Sequence, residues 1–84
     1  MDENKIKPAL ELLEQIVNDR TVPRNIRTAA ESSRDALNGI DSMEVRVSTA
    51  INILDEIIND PNMPMYTRTQ IWNIVSMLEE MRSS

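Results

Sequence analysis

The sequence predicts an all-α protein with a single domain, a four-helix antiparallel up-and-down bundle made of two duplicated helical hairpins. Three observations predict this fold. The chain has 84 residues, which is enough for one hydrophobic core. Apolar residues recur at helical spacing in four segments, and no segment alternates as a half-buried strand does. The second half of the chain repeats the first half with a shift of 41 residues.

The repeat relates the segments Leu10–Leu37 and Ile51–Leu78 without a gap. Over the slightly longer ranges 9–37 and 50–78, nine of 29 positions are identical. Chance similarity between helices explains some matched apolar residues, but it does not readily match an Asn-Asp, a Pro and an Arg-Thr in register. The identities are Ala9/Ala50, Leu13/Leu54, Ile16/Ile57, Asn18/Asn59, Asp19/Asp60, Pro23/Pro64, Arg27/Arg68, Thr28/Thr69 and Leu37/Leu78.

Each half of the repeat reads as a helix, a short loop and a second helix. The first hairpin covers about residues 4–39 and the second about 42–82. Every predicted helix has one apolar face, which we expect to point into the core. In chain order these faces are Ile6, Leu10, Leu13 and Val17; Ile26, Ala30, Ser33, Leu37 and Ile40; Val47, Ile51, Leu54 and Ile58; and Ile71, Ile74, Val75, Leu78 and Met81.

Residues with special backbone preferences mark the predicted helix ends. Pro23 and Pro64 suit the first position of a helix, where a missing N–H costs nothing. Gly39 is the only glycine, and we expect it in the left-handed conformation that often follows a helix. Asp41 with Glu44 three residues later predicts a capping box at the start of the third helix.

Two architectures accommodate four such helices. A closed bundle buries all four apolar faces around one axis. A stack of two hairpins buries them between layers, and the segment from Asp19 through Pro23, Arg27, Ala30 and Leu37 does resemble a HEAT repeat. A solenoid of two repeats would leave both of its ends apolar. We therefore prefer the bundle and keep the HEAT-like stack as the alternative.

The doubled pattern in residues 16–30 and 57–69 also resembles an uncharacterised family of small archaeal four-helix proteins. The resemblance covers nearly the whole chain. It implies a bundle of four antiparallel helices and no activity. The second copy departs from the first at Thr67, which replaces Ile26, and at Gln70-Ile71, which replaces Ala29-Ala30.

The composition excludes several classes of protein and site. There is no cysteine and no histidine, which removes disulfides, thiolate ligands and the usual acid–base residue at neutral pH. The longest apolar runs are too short to span a membrane, and the polar residues 1–8 lack the apolar region of a secretory signal. We expect a cytoplasmic protein without a cofactor. The net charge of −5 disfavours binding to nucleic acid.

The repeated Asp19/Asp60 and Arg27/Arg68 are the first candidate site residues. An Arg beside an Asp across a helical turn can form a bidentate salt bridge, and the carboxylate can accept from loop N–H groups. The functional interpretation is a pair of anion sites. We prefer a structural role in fixing the loops, because a fold requirement explains the duplication.

Four arginines on or near the second helix form the next candidate set. Arg24, Arg27 and Arg34 project from one side of that helix, and Arg20 precedes it. Such a group is able to contact RNA or an acidic partner. Glu31 lies on the same side and suits ordinary intrahelical pairs, and no aromatic residue accompanies the arginines to stack on a base. A solvated surface is the preferred interpretation.

Carboxylates and nucleophiles give no convincing catalytic or metal site. Glu14 and Asp55 are equivalent in the repeat and are the least implausible metal-binding pair, but a di-iron bundle site also needs histidine. The serines and Tyr66 have no histidine to activate them. We therefore predict that the protein is not an enzyme and binds no metal.

The fourth helix carries more apolar side chains than one core face needs. One explanation is that these bulky side chains of the fourth helix fill the space that the small residues of helix two leave in the core. A partner or homodimer surface explains them equally well, because aromatic residues and Met are enriched at interfaces. The function predicted from the sequence is therefore a non-catalytic helical protein-interaction module that binds itself or an unidentified protein. The alternative is an accessory protein that binds RNA or a ribonucleoprotein through the arginines of helix two. Its candidate interface residues are Met63, Met65, Tyr66, Trp72 and Met77.

Overall fold

The computed structural model describes residues 3–83, and these residues form helices and connecting loops without a strand. A short 3-10 helix, Glu3–Ile6, leads directly into α1, Lys7–Val17. The other helices are α2, Arg24–Leu37; α3, Met43–Ile57; and α4, Met65–Ser83. The prediction of an all-α fold with four helices is confirmed.

The four helices form a closed ring. The main contacts join α1 to α2, α2 to α3, α3 to α4, and α4 back to α1. The connecting segments 18–23, 38–42 and 58–64 are short, so consecutive helices run antiparallel. A HEAT-like stack would instead pack α1 on α3 and α2 on α4, and neither diagonal pair is among the main contacts. The structure is the predicted up-and-down bundle, 35 × 20 × 18 Å in extent.

The core is aliphatic and follows the repeat. Equivalent residues such as Leu13 and Leu54 are buried in both copies, as are Leu37 and Leu78. The two copies differ in side-chain size where α2 and α4 enter the core. The pairs at which they differ are Ile26/Thr67, Ala30/Ile71 and Ser33/Ile74, all of them buried. In the last two pairs α4 has the larger side chain and fills space that α2 leaves open, whereas in the first pair α2 has the larger side chain.

The loops after α1 and α3 have the same main-chain hydrogen bonds, which shows that the duplication extends to the backbone. The N–H of Val22 donates to the carbonyl oxygen of Asp19 at 3.1 Å, and the N–H of Met63 donates to that of Asp60 at 3.2 Å. Val22 and Met63 are both buried. Each loop is therefore a tight turn closed over an apolar residue that belongs to the core.

An arginine at the fourth residue of α2, α3 and α4 holds the loop before that helix. Arg27 Nε donates to the carbonyl oxygen of Val22 at 3.0 Å. Nη2 of Arg68 donates to the carbonyl oxygen of Asp60 at 2.9 Å. Arg46 Nη1 donates to the last carbonyl of α2 at 3.0 Å. Leu37 is the last residue of α2, so its carbonyl oxygen has no intrahelical partner. Val22 and Asp60 lie in loops, and there the arginines supply donors to loop carbonyl oxygens.

The Asp–Arg salt bridge considered from the sequence does not form at either loop, because the arginines bind main-chain oxygens instead. The Asp19 carboxylate accepts from the N–H and hydroxyl of Thr21 at 2.9 and 2.6 Å. These hydrogen bonds from Thr21 hold the pKa of Asp19 below its ordinary value. The Asp60 carboxylate accepts from the N–H of Asn62 at 2.8 Å and from the Asn25 side chain at 2.7 Å. Both carboxylates therefore fix loops, as the structural interpretation proposed.

Arg46 has a second role that the sequence did not indicate. Its Nη1 and Nη2 donate to the Glu3 carboxylate at 3.1 and 2.7 Å. This bidentate pair ties the beginning of the chain to α3. The hydrogen bond from Arg46 lowers the pKa of Glu3 and raises that of Arg46 itself.

Three details of the helix ends differ from the predictions. Pro23 is the residue before α2 and not its first residue, and Ser42 caps α3 in place of Asp41 by accepting from the N–H of Val45 at 3.3 Å. Gly39 does not have a positive φ, because its N–H closes a tight turn onto Ala36 at 3.2 Å. The next residue, Ile40, was predicted to face inward. It is fully exposed because α2 has already ended at Leu37.

Candidate interaction surface

The two aromatic residues of the protein both lie on the surface of α4. Trp72 is 55% exposed and Tyr66 is 50% exposed, and the neighbouring Met65 is 74% exposed. The core is packed without any aromatic side chain. Half or more of each of these large side chains is therefore exposed to water.

The apolar residues of α4 outside the core face lie on two flanks of the helix. Successive residues of an α-helix are rotated by about 100°, so Met65 and Trp72, seven residues apart, project in nearly the same direction. Tyr66 and Met77, eleven residues apart, project together in a different direction. The single broad apolar face that the sequence predicted is thus divided. The strip between the flanks is Thr69, Asn73, Ser76 and Glu80.

Contacts with α1 show which way the second flank faces. Gln70, on the same side as Tyr66 and Met77, donates to Gln15 of α1 at 3.4 Å. Met77 is half-buried against the core. The flank of Met65 and Trp72 lies on the side of α4 away from α1. We call the exposed residues Met65 and Trp72 the α4 surface.

One predicted interface residue does not lie on the surface. Met63 is only 5% exposed and packs in the core, at the position that Val22 occupies in the first copy. Its place just before Pro64 gave it the appearance of a loop residue. The tight turn described above points its side chain inward, so Met63 is not available to a partner.

A cleft that the sequence did not indicate lies between α1 and α4. It has a volume of about 390 Å³ and is lined by Lys5, Pro8, Met77, Glu80 and Met81. Its walls are mainly apolar, with a basic and an acidic side chain among them. The residues that form it come from opposite ends of the chain, so only the tertiary structure brings them together.

The four predicted arginines do not act as one surface. Arg34 forms salt bridges with Glu14 of α1 at 3.1 Å, with Asp35 at 3.3 Å and with Glu31 at 3.7 Å. The hydrogen bond with Glu14 is the main cause of the raised pKa of Arg34. The structure thus uses Arg34 to join α1 to α2.

Of the remaining three arginines, one is bound within the protein and two are not. Arg27 is bound to the loop carbonyl of Val22. Arg20 and Arg24 are exposed and form no hydrogen bond or salt bridge within residues 3–83. A shallow cleft of about 200 Å³ lies beside Arg24, lined also by Val17, Arg27, Thr28 and Glu31. Only two of the four cations are therefore unengaged.

The structure does not bring Glu14 and Asp55 together as a metal site. Glu14 is paired with Arg34, and Asp55 lies exposed on α3. Across residues 3–83, no three carboxylates are close enough to hold a metal ion. No helix in that range is long and apolar enough to cross a bilayer.

Comparison with known proteins identifies the family. The model of the uncharacterised protein family UPF0147 matches residues 1–81. The chain belongs to this family. A UPF0147 protein of Methanocaldococcus jannaschii is 56% identical over 81 residues, which cover 95% of this chain and 87% of that protein. A second, from Sulfurisphaera tokodaii, is 52% identical over 82 residues, covering 96% and 92%.

Two crystal structures have the same fold. One, of a protein of unknown function, is similar with a TM-score of 0.90 and 52% identity, covering 94% of this chain and 91% of that one. A UPF0147 structure from Thermoplasma acidophilum has a TM-score of 0.89 and 37% identity, covering 95% of both chains. The curated UPF0147 relatives are archaeal. The resemblance predicted from the doubled sequence pattern is therefore confirmed, and the function of the family is unknown.

Proposed function

We propose that the protein is a non-catalytic, cytoplasmic helical module that binds a partner protein on the α4 surface. The observation that carries this proposal is the exposure of Trp72 in a protein whose core contains no aromatic residue. Trp is among the residues most enriched at binding hot spots. A partner that covered Trp72 and Met65 would remove two large apolar side chains from water.

The duplicated fold provides an internal comparison that supports this surface. Trp72 occupies the position that Glu31 has in the first hairpin, and Met65 occupies that of Arg24. The equivalent surface of α2 is therefore charged. Because α2 keeps the same fold with charged residues at these positions, folding does not require the apolar residues of α4.

A non-catalytic role agrees with the chemistry of the chain. The absence of histidine and cysteine leaves serine and tyrosine hydroxyls without their usual activating base. No activity is assigned to the family. A chain without cysteine also suits a reducing compartment, which supports the cytoplasm as the place where the module acts.

The alternative function, binding of RNA or a ribonucleoprotein, has less support. Two of its four arginines, Arg27 and Arg34, are engaged within the protein. Arg20 and Arg24 remain, on a chain whose net charge is −5. Neutralisation of several phosphates is the main source of affinity for nucleic acid, and two arginines supply little of it.

Site-specific photo-crosslinking in the native host tests the proposal. A photoreactive phenylalanine analogue at position 72 should form adducts with a partner protein. The same analogue at position 31, the equivalent exposed site of α2, is the matched control and should form none. Adducts of equal yield at both positions, or none at either, would contradict an interaction surface on α4. Adducts with RNA at position 31 would favour the alternative.

A further inference from the structure

Arg34 of the first hairpin has no cationic counterpart in the second hairpin. Its guanidinium contacts Glu14 of α1 at 3.1 Å and Glu31 of its own helix at 3.7 Å. The repeat, with its shift of 41 residues, places Val75 at the position of Arg34. Val75 is half-buried and packs against the core. The second hairpin therefore lacks the cation that joins the two helices of the first.

The residues equivalent to the two partners of Arg34 are Asp55 and Trp72. Asp55 has the position of Glu14, and Trp72 has that of Glu31. Asp55 is exposed on α3 and forms no hydrogen bond or salt bridge within residues 3–83. The two hairpins have the same helix pairing and the same loop hydrogen bonds. A carboxylate and an indole therefore flank the place that a guanidinium fills in the first hairpin.

We propose that the partner protein bound on the α4 surface inserts an arginine at this place, so that its guanidinium pairs with the Asp55 carboxylate and stacks on the Trp72 indole. The inference rests on the proposed function. It describes the partner as a protein that carries an exposed arginine in the region that contacts α4.

The chemistry of arginine suits both groups. A guanidinium is planar, and it can donate to a carboxylate through two parallel N–H groups. The same plane stacks on aromatic rings, and Trp is the aromatic residue that attracts a cation most strongly. Lysine carries a compact charge without this plane. The combination of a carboxylate and an indole thus favours arginine over lysine and over an apolar side chain.

The charges of the second hairpin also favour a cation. Residues 42–83 contain six acidic residues and only three basic residues, all of them arginines. Each of these arginines is held within the protein. Arg46 binds the carboxylate of Glu3, Arg82 binds that of Glu79, and Arg68 binds the main-chain oxygen of Asp60.

Arg68 is the arginine closest in sequence to Trp72, but it does not take the place of the proposed ligand. It lies one helical turn before Trp72, and its hydrogen bond to the carbonyl oxygen of Asp60, at 2.9 Å, directs it to the loop 58–64. The nearest charge in that loop is the acidic residue Asp60 itself. Within residues 3–83, no cation is paired with Asp55, so its charge is available to a partner.

Fluorescence titration of the full chain with a tetra-arginine peptide at low salt tests this inference. Trp72 is the only tryptophan, so its emission reports binding at this place. Tetra-arginine should change the emission, and tetra-lysine should bind more weakly. Asp55→Asn should raise the Kd for tetra-arginine about three- to fivefold, as expected for the loss of an exposed ion pair.

Glu56→Gln is the matched control for Asp55→Asn. Both residues are exposed carboxylates of α3, but Glu56 is equivalent to Gln15, which faces the other neighbouring helix. Glu56→Gln should therefore have a smaller effect on the Kd. An unchanged emission with tetra-arginine, or equal weakening by the two variants, would overturn the inference.

Val75→Arg gives the second hairpin the cation of the first. The new guanidinium should pair with Asp55 and raise the Kd for tetra-arginine at least about fivefold. Val75→Leu keeps the position apolar and should leave the Kd unchanged. Circular dichroism checks that both variants fold. Binding by a folded Val75→Arg variant as tight as that of the unmodified protein would contradict the inference.

These titrations distinguish the arginine contact from the proposed function. If tetra-arginine does not bind but the photoreactive analogue at position 72 still forms adducts with a partner, the arginine contact is wrong and the α4 surface stands. Binding of tetra-arginine without any adduct at position 72 would overturn the α4 proposal and the inference that rests on it.

Discussion

Arg46 Nη1 donates to the carbonyl oxygen of Leu37 at 3.0 Å, so α3 holds the end of the helix that precedes it in the chain. Arg27 and Arg68 hold the two other connections between helices in the same way. Each of the three is the fourth residue of its helix. The bundle is therefore closed at each turn by a cation that binds the main chain and not a carboxylate of the loop.

These arginines, which we call the clamps, predict a specific pattern of stability. Arg68→Met should lower the free energy of unfolding by about 1–2 kcal/mol, because the loop carbonyl loses a hydrogen bond from a charged donor while the alkyl stem is kept. Arg27→Met should act alike. Arg24→Met is the control, since Arg24 is exposed and unpaired, and it should change stability by less than about 0.5 kcal/mol. Urea unfolding measures all three, and equal effects would show that the clamps contribute nothing.

A buried hydroxyl group predicts a stabilising substitution. Thr67 Oγ1 and Ser33 Oγ are fully buried and have no hydrogen-bond partner. Thr67→Val keeps the shape of the side chain and removes the unpaired hydroxyl, so it should stabilise the protein by about 1 kcal/mol. Thr28→Val makes the same change at an exposed position and should not. A loss of stability in Thr67→Val, measured by thermal unfolding, would mean that this hydroxyl is satisfied in solution.

The Glu3–Arg46 pair predicts a dependence of stability on pH. The pKa of Glu3 is lower in the folded protein than its ordinary value of 4.5. A carboxylate with a lowered folded-state pKa stabilises the fold above its unfolded-state pKa, and this stabilisation is lost as the pH falls through the folded-state value. Glu3→Gln should therefore be less stable than the unmodified protein at neutral pH. The difference should shrink below pH 4.5, and a difference that is constant with pH would contradict this account.

The repeat is the reason why so much of the fold was predictable from the sequence. Leu13 and Leu54, or Leu37 and Leu78, carry the same helical periodicity twice, so each copy supports the interpretation of the other. Ile40 was misplaced because periodicity alone continues through a helix end. The end of α2 depends on a tight turn at Gly39 that forms without a positive φ.

The contacts between distant segments were less predictable than the candidate interface residues Met65 and Trp72. Arg46 has no counterpart in the repeat alignment, although it follows the capping Ser42 by four residues, as Arg27 follows Pro23. That spacing could have predicted that Arg46 holds the connection before its helix. Pro8 and Met81 line one cleft although they lie near opposite ends of the chain. The sequence also left open whether Trp72 is core or surface, and this follows only from how α4 is rotated about its axis.

The central claim is that the residues shared by the two hairpins build the fold, whereas Trp72 and Met65 serve binding. Affinity capture from the native host, with the unmodified protein and the Trp72→Glu variant compared side by side, tests it most directly. Trp72→Glu introduces the residue that the first hairpin has at this position. We predict that its melting temperature stays close to that of the unmodified protein and that the captured partner is lost. Unchanged capture, or a variant that unfolds, would contradict the claim.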